Sequence, residues 1–155
     1  MAEVTLREYL QHIERLIKDE RLDEAIAHSQ RVLEAYPRNA EAYHYLGTGL
    51  MRQSRYDEAE DVFRRLLAAI PDDFNAHHAL STIYDRQQKA DEALWHLERA
   101  FDQQPNNPQV IEQLRDLYHK YQGIQLDKVQ LTAGAVANQH LASSNYAQAV
   151  DVLQR

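Results

Sequence analysis

Cysteine is missing from this 155-residue chain, which removes disulfides, thiolate metal ligands and cysteine nucleophiles together. Four glycines and four prolines are too little punctuation for a sheet protein, whose turns depend on both. No stretch approaches the roughly 18 uninterrupted apolar residues of a membrane span, and the opening Met1-Ala2-Glu3-Val4-Thr5-Leu6 lacks the basic-then-apolar order of a signal peptide. Positive charge is in deficit, with 17 Lys and Arg against 24 Asp and Glu. The resulting net charge of -7 repels nucleic-acid backbones and anionic lipid, so neither a nucleic acid nor a membrane is an expected partner. There is no glycine-rich phosphate loop, no Gly-x-Ser-x-Gly elbow and no His-Glu-x-x-His. The chain is therefore not expected to be an enzyme or to carry a cofactor, and a cytoplasmic location is the expectation.

What is present is a rhythm. Asp23-Glu24-Ala25, Asp57-Glu58-Ala59 and Asp91-Glu92-Ala93 stand 34 residues apart, and Pro37, Pro71 and Pro105 keep the same step. A fixed recurrence of this length means that one small unit is stacked, and 44% hydrophobic with 26% charged residues is a globular composition for such a stack. Between Ala40 and Pro71 the apolar residues Tyr43, Leu46 and Leu50, then Val62, Phe63, Leu66, Leu67 and Ile70, fall at three-and-four spacings. The break between them, Gln53-Ser54-Arg55, is so short that the two helices must lie antiparallel. Each second helix opens on Asp-Glu, favourable to its dipole, and each closes before a proline that cannot continue it. Thr5-Leu6-Arg7-Glu8 has the form of a capping box. Helices are expected at Thr5 to Lys18, Leu22 to Tyr36, Ala40 to Gln53, Tyr56 to Ile70, Phe74 to Gln87, Ala90 to Gln104 and Asn107 to Tyr121.

With Tyr43, Leu46, Gly47, Leu50, Tyr56, Ala59, Phe63, Leu66 and Pro71 in place, the second unit resembles the tetratricopeptide repeat family. The third keeps Leu80, Tyr84, Ala93, Leu97, Ala100 and Pro105 but has His77 and Ser81 where an aromatic and a glycine are usual. The first has Tyr9, Leu16, Ala25 and Pro37, with His12, Ile13 and Ser29 off the pattern, as suits an end unit that packs on one neighbour. The resemblance implies an all-α fold, a right-handed α-α superhelix or solenoid of antiparallel helix hairpins with about nine helices. One domain is expected over 1–155, with regular repeats at about 6–39, 40–73 and 74–107 and a divergent fourth hairpin and terminal helix over 108–155. Past Pro105 the beat fails: Leu126 to Ser143 reads as one longer helix, and Asn145-Tyr146-Ala147-Gln148-Ala149 as another turn come early. Arg155 falls about two turns into that last helix, as expected of a fragment of a longer protein or of an end that meets a partner chain.

Ligands of the family lie in the concave groove lined by the first helix of each repeat. Carried onto this chain, the inward columns are Leu10, His44, His78 and Glu112; Glu14, Thr48, Thr82 and Asp116; and Ile17, Met51, Asp85 and His119. Such a polar mixture with scattered apolar points suits an extended peptide or a helix better than a small molecule. His44, Thr48, Met51, Arg52, His78, Thr82, Asp85 and Arg86, which sit centrally, are the expected partner-binding residues. Lys18, Arg52, Arg86 and Lys120 recur at the same step and form either a basic ladder for an acidic peptide or an ordinary solvated face near helix ends. The lysine-and-asparagine clamp with which one subgroup grips chaperone tails is absent, since Leu10, Glu14, Tyr45, Asn75 and Ala79 hold its positions.

Trp95 occupies an outward column shared with Ala27 and Asp61, where it either lies against a neighbouring helix or anchors an interface on the convex side. No metal site is expected from the eight histidines: equivalent atoms of successive repeats stand roughly 10 Å apart, too far for His44 and His78 to share a zinc at about 2 Å. The expected function is thus a noncatalytic protein-protein interaction scaffold that holds a peptide or partner domain in its concave groove. Two alternatives stand beside it: a self-association module working through the C-terminal helix or Trp95, and a regulatory arm of a larger enzyme whose catalytic domain lies outside this chain.

Overall fold

In the computed structural model, residues 4–123 are described, and among them the chain forms seven α-helices and no strand. These are α1 (Leu6–Lys18), α2 (Leu22–Ala35), α3 (Ala40–Arg52), α4 (Tyr56–Ala69), α5 (Phe74–Arg86), α6 (Ala90–Gln103) and α7 (Pro108–Gln122). The two further helices that would bring the count to about nine, over 126–143 and 145–155, fall outside the described residues.

Each described helix agrees with its expected span to within one residue at either end, and the residues in dispute are caps except Gln122, the last residue of α7. Thr5 forms the expected capping box: its hydroxyl accepts from the Glu8 amide while its own amide donates to the Glu8 carboxylate at 2.9 Å. Asn39, Asp73 and Asn107 do the same work one, two and three steps of 34 further on, their side chains accepting from Ala42, Ala76, and both Gln109 and Val110. Each such cap satisfies an amide that the first helical turn leaves without a partner, typically worth about 1 kcal/mol. Tyr36, Gln53, Ile70, Gln87 and Gln104 close their helices with a last amide donated back into the preceding turn.

The turns inside the hairpins repeat as faithfully. Glu20, Ser54 and Gln88 adopt φ of 58°, 60° and 59°, the left-handed region that side chains with a Cβ normally avoid. A pair of hydrogen bonds holds each of them there. In the middle turn the Ser54 amide donates to the Met51 carbonyl at 2.9 Å and the Arg55 amide to the Leu50 carbonyl at 2.9 Å, and the same pairs recur around Glu20 and Gln88. These bonds absorb helix-terminal carbonyls that would otherwise be orphaned.

Two compact units divide the chain, Met1–Pro71 and Asp72–Arg155. In the first, α1 packs on α2, α2 on α3, α3 on α4, and α1 also touches α3. Its core includes Leu10, Ile13, Leu16, Ile17, Ala25, Val32 and Ala42, with Leu46, Leu50, Val62, Phe63 and Leu66 continuing it. Full burial of a side chain of this size contributes roughly 1.5–3 kcal/mol. Gly47 sets the approach of α3 to α4: a methyl-sized group there would stand 2.3 Å from Cζ of Phe63, whose ring is itself buried. Ala59, fully buried on α4, is a small residue on the facing helix of that hairpin.

The columns that hold Gly47 and Phe63 hold Ile13 and Ser29 in the first hairpin, and all four are buried. The off-pattern residues of that repeat are therefore an exchange of bulk between facing helices rather than a loosening of the end unit. Ser29 satisfies its hydroxyl by donating to the Ala25 carbonyl at 2.8 Å, so its burial leaves no polar atom stranded.

In the second unit α5 packs on α6 and α6 on α7. Leu80, Ile83, Leu97, Phe101, Val110 and Leu114 are buried almost completely. His77, which stands where an aromatic is usual, is also buried, and a hydrogen bond of 2.9 Å joins its Nδ1 to that of His96. Glu98 is buried on α6, where Tyr118 of α7 donates to its Oε1 at 2.9 Å. Burial pushes the Glu98 carboxyl up to about 9, against the opposing effects of the Tyr118 hydrogen bond and of Arg99.

Candidate partner-binding surfaces

On α3, His44, Thr48, Met51 and Arg52 follow one another at helical spacing, the first three half-buried and the arginine exposed. α1 lies beside α3 and brings Glu14 and Lys18, joined by an ion pair at 2.8 Å. Leu10 and Ile17, expected in the same inward columns, are instead buried at 5% and 6% exposure within the core. Their positions around the helix match the columns, but neighbouring helices cover them, so they present little to a ligand.

Arg52 is held tightly. Its guanidinium donates to the Ile17 carbonyl at 3.0 Å and to the Glu20 carboxylate at 2.6 Å, so it ties the end of α1 to the end of α3.

In the second unit, His78, Thr82 and Asp85 are half-buried on α5 and Arg86 is exposed. His78 stacks on Phe74, its Nε2 meets the Gln113 side-chain oxygen of α7 at 2.6 Å, and Thr82 donates back to the His78 carbonyl. Asp85 receives Lys120 at 2.7 Å and the Tyr121 hydroxyl at 2.6 Å, both from α7. Burial pushes the Asp85 carboxyl up, but the hydrogen bonds from Lys120 and Tyr121 outweigh it and hold the group below the usual aspartate range.

Three rungs of the basic ladder are thus committed to carboxylates: Lys18 to Glu14, Arg52 to Glu20 and Lys120 to Asp85. Exposed pairs of this kind add little stability, yet they lower the charge available to an acidic ligand. The ordinary reading of the ladder, cations serving helix ends, fits this geometry best.

Trp95 projects from α6 and is 46% exposed. Its ring meets His96 edge-on at 4.8 Å and carries the Arg99 guanidinium 5.0 Å from its centroid. A broad aromatic face is therefore held in place while nearly half of it stays open to solvent.

Among the described residues no group of three or more His, Asp or Glu side chains is arranged to hold a metal ion, and no helix is long and apolar enough to cross a membrane.

The first tetratricopeptide repeat domain of Spaghetti (RPAP3), bound to the HSP90 peptide SRMEEVD, superposes with a TM-score of 0.68 at 21% identity, over 72% of this chain and 89% of that one. YrrB, described as a tetratricopeptide repeat protein with an unusual peptide-binding site, gives 0.66 at 24% identity, over 73% and 58%. MamA from Desulfovibrio magneticus, residue 41 to the end, gives 0.67 at 17% identity, over 94% and 74%. No curated protein matches the chain. At these identities the likeness is one of fold. The tetratricopeptide repeat model also matches the sequence directly, over residues 16–83. By that match, residues 16–83 carry tetratricopeptide repeats, and the seven described helices keep the same hairpin pattern.

Proposed function

We propose that this protein is a noncatalytic interaction scaffold which holds a peptide or partner domain against the first helices of its repeats. One observation carries the reading. His44, Thr48 and Met51 on α3, and His78 and Thr82 on α5, are half-buried polar and adaptable side chains on helices that tight turns and caps hold rigid. A surface fixed in advance loses little ordering entropy when a ligand settles on it. Solved relatives that bind peptides support the choice of ligand class. An acidic tail like the HSP90 peptide is not the preferred ligand here, because Lys18, Arg52 and Lys120 are already spoken for by acidic neighbours.

The test is capture of binding proteins from native lysate with the intact chain and with a Thr48→Arg/Thr82→Arg variant, which places bulk on both first-helix faces. A partner lost from the variant, with helical content and melting temperature unchanged, is the expected result. An unchanged set of captured proteins would remove this surface from consideration.

A second reading, self-association, is favoured by Trp95, since a large, pre-positioned and half-open aromatic is the kind of residue that dominates protein interfaces. If it holds, light scattering will show a dimer that dissociates in Trp95→Ala. A monomer in both proteins discards it. The expected role of the C-terminal helix in such an assembly lies outside the described residues.

A further inference from the structure

A second surface stands on the other side of the first unit. α2, α3 and α4 enclose an open trough of about 800 Å³, whose apolar surface comes from half-buried Tyr43 of α3 and Leu33 of α2, with core residues Leu46 and Leu50 beneath them and Gln30 and Glu34 of α2 at the side. The α3 residues of the trough point from a different face of that helix than His44, Thr48 and Met51, because three-and-four spacing starting from 43 is turned well away from spacing that starts at 44.

The rim has one sign of charge. Glu34, Asp57, Glu58 and Asp61 line the trough, against a single cation, Arg65. Arg65 answers Asp61 at 3.0 Å, and Arg55, from the turn before α4, answers Glu58 at 2.7 Å. Glu34 and Asp57 form no ion pair among the described residues. Asp57 has a local reason to be there, in the first turn of α4, where a carboxylate favours the helix dipole. Glu34 has the opposite: it sits in the last turn of α2, where an anion is disfavoured and no basic residue compensates it. A residue that opposes its own helix and finds no ion-pair partner among the described residues is a candidate for a partner outside them.

We propose that this trough receives a basic amphipathic helix, with its apolar side chains seated on Tyr43 and Leu33 and its Lys or Arg side chains meeting Glu34 and Asp57. The apolar surface of the trough gives the seat, as in other helix-in-groove contacts, and the two unanswered carboxylates select the sign of the guest. This site is independent of the first-helix surface described above and can be present whether or not that surface binds anything.

The probe is a fluorescein-labelled synthetic helix of leucine and lysine, the leucines at helical spacing, followed by anisotropy against the intact chain. Two paired variants reverse equal charge at different places: Glu34→Lys/Asp57→Lys on the rim and Glu112→Lys/Asp116→Lys on α7, all four being exposed positions. Binding is expected to weaken by about tenfold in the rim variant and to stay unchanged in the other. A peptide with serine in place of leucine is expected not to bind. Equal weakening in both variants would mean attraction to the chain's overall negative charge, and the proposal falls. It falls likewise if the serine peptide binds as well as the leucine one, if the leucine-lysine helix does not bind, or if sedimentation of the unliganded chain shows a dimer that the rim variant alone dissociates, which would make a second copy the occupant.

Discussion

Gly47→Ile is expected to unfold the first unit under conditions where the parent is stable, with a loss of 3 kcal/mol or more, roughly the upper end of what overpacking costs. Even a methyl at this position would stand 2.3 Å from the Phe63 ring, and that ring, 2% exposed, has no open space into which to swing. The informative partner is Phe63→Ser, which alone leaves a cavity and costs about 3–5 kcal/mol. Together the two substitutions recreate the Ile13 and Ser29 arrangement of the first hairpin, where bulk sits on the first helix and the small residue on the second. The double variant is therefore expected to melt above either single variant. Thermal unfolding followed by circular dichroism reads all three, and additive losses would show that the two columns do not share one space.

The second large effect concerns Glu98. Its folded-state value of about 9 lies above the ordinary 4.5, so the native state holds this proton more tightly than the unfolded chain does. The contribution to stability is complete below pH 4.5, declines as the unfolded state sheds its proton above that, and is fully lost once the pH has passed about 9. Glu98→Gln keeps a neutral group of similar shape and an oxygen for the Tyr118 hydroxyl, but never has to resist ionisation. At pH 5 the variant and the parent are expected to be close in stability. At pH 8 the variant is expected to be more stable, on the order of 3 kcal/mol. Melting temperatures measured from pH 5 to 9 decide it: parallel curves for the two proteins would mean that Glu98 is not held neutral by the fold.

The helices were legible in the sequence because spacing, Asp-Glu openings and terminal prolines all recur together. Another series at the same step, Thr5, Asn39, Asp73 and Asn107, was equally visible as four N-cap residue types, yet only its first member was read as a cap. The left-handed residues Glu20, Ser54 and Gln88 could not be found that way, since none is a glycine or an asparagine and only the hydrogen bonds around them fix their conformation.

For the site, residue type proved a poorer guide than for the fold. Lys18, Arg52, Arg86 and Lys120 are periodic, whereas the acids that answer three of them, Glu14, Glu20 and Asp85, stand in three different columns. Periodicity therefore displayed the cations and concealed their neutralisation. Leu10 and Ile17 were misplaced for a related reason. Spacing gives the direction of a side chain from its own helix, but not how far the next helix covers it.

The bond from Arg52 to the Ile17 carbonyl, and that from the Tyr121 hydroxyl to the Asp85 carbonyl at 3.2 Å, share a direction: a later first helix reaches back to finish an earlier one. Within each unit, then, stripping away the later hairpin does more than bare an apolar flank. It also takes away one of the hydrogen bonds at the carbonyl end of the helix left behind, where the turn amides of Glu20 and Gln88 keep the other, so that loss of one hairpin loosens its neighbour. Such units should shorten from the C-terminal side in coupled steps, and proteolytic fragments ending inside α3 or α7 should be rarer than those ending between hairpins.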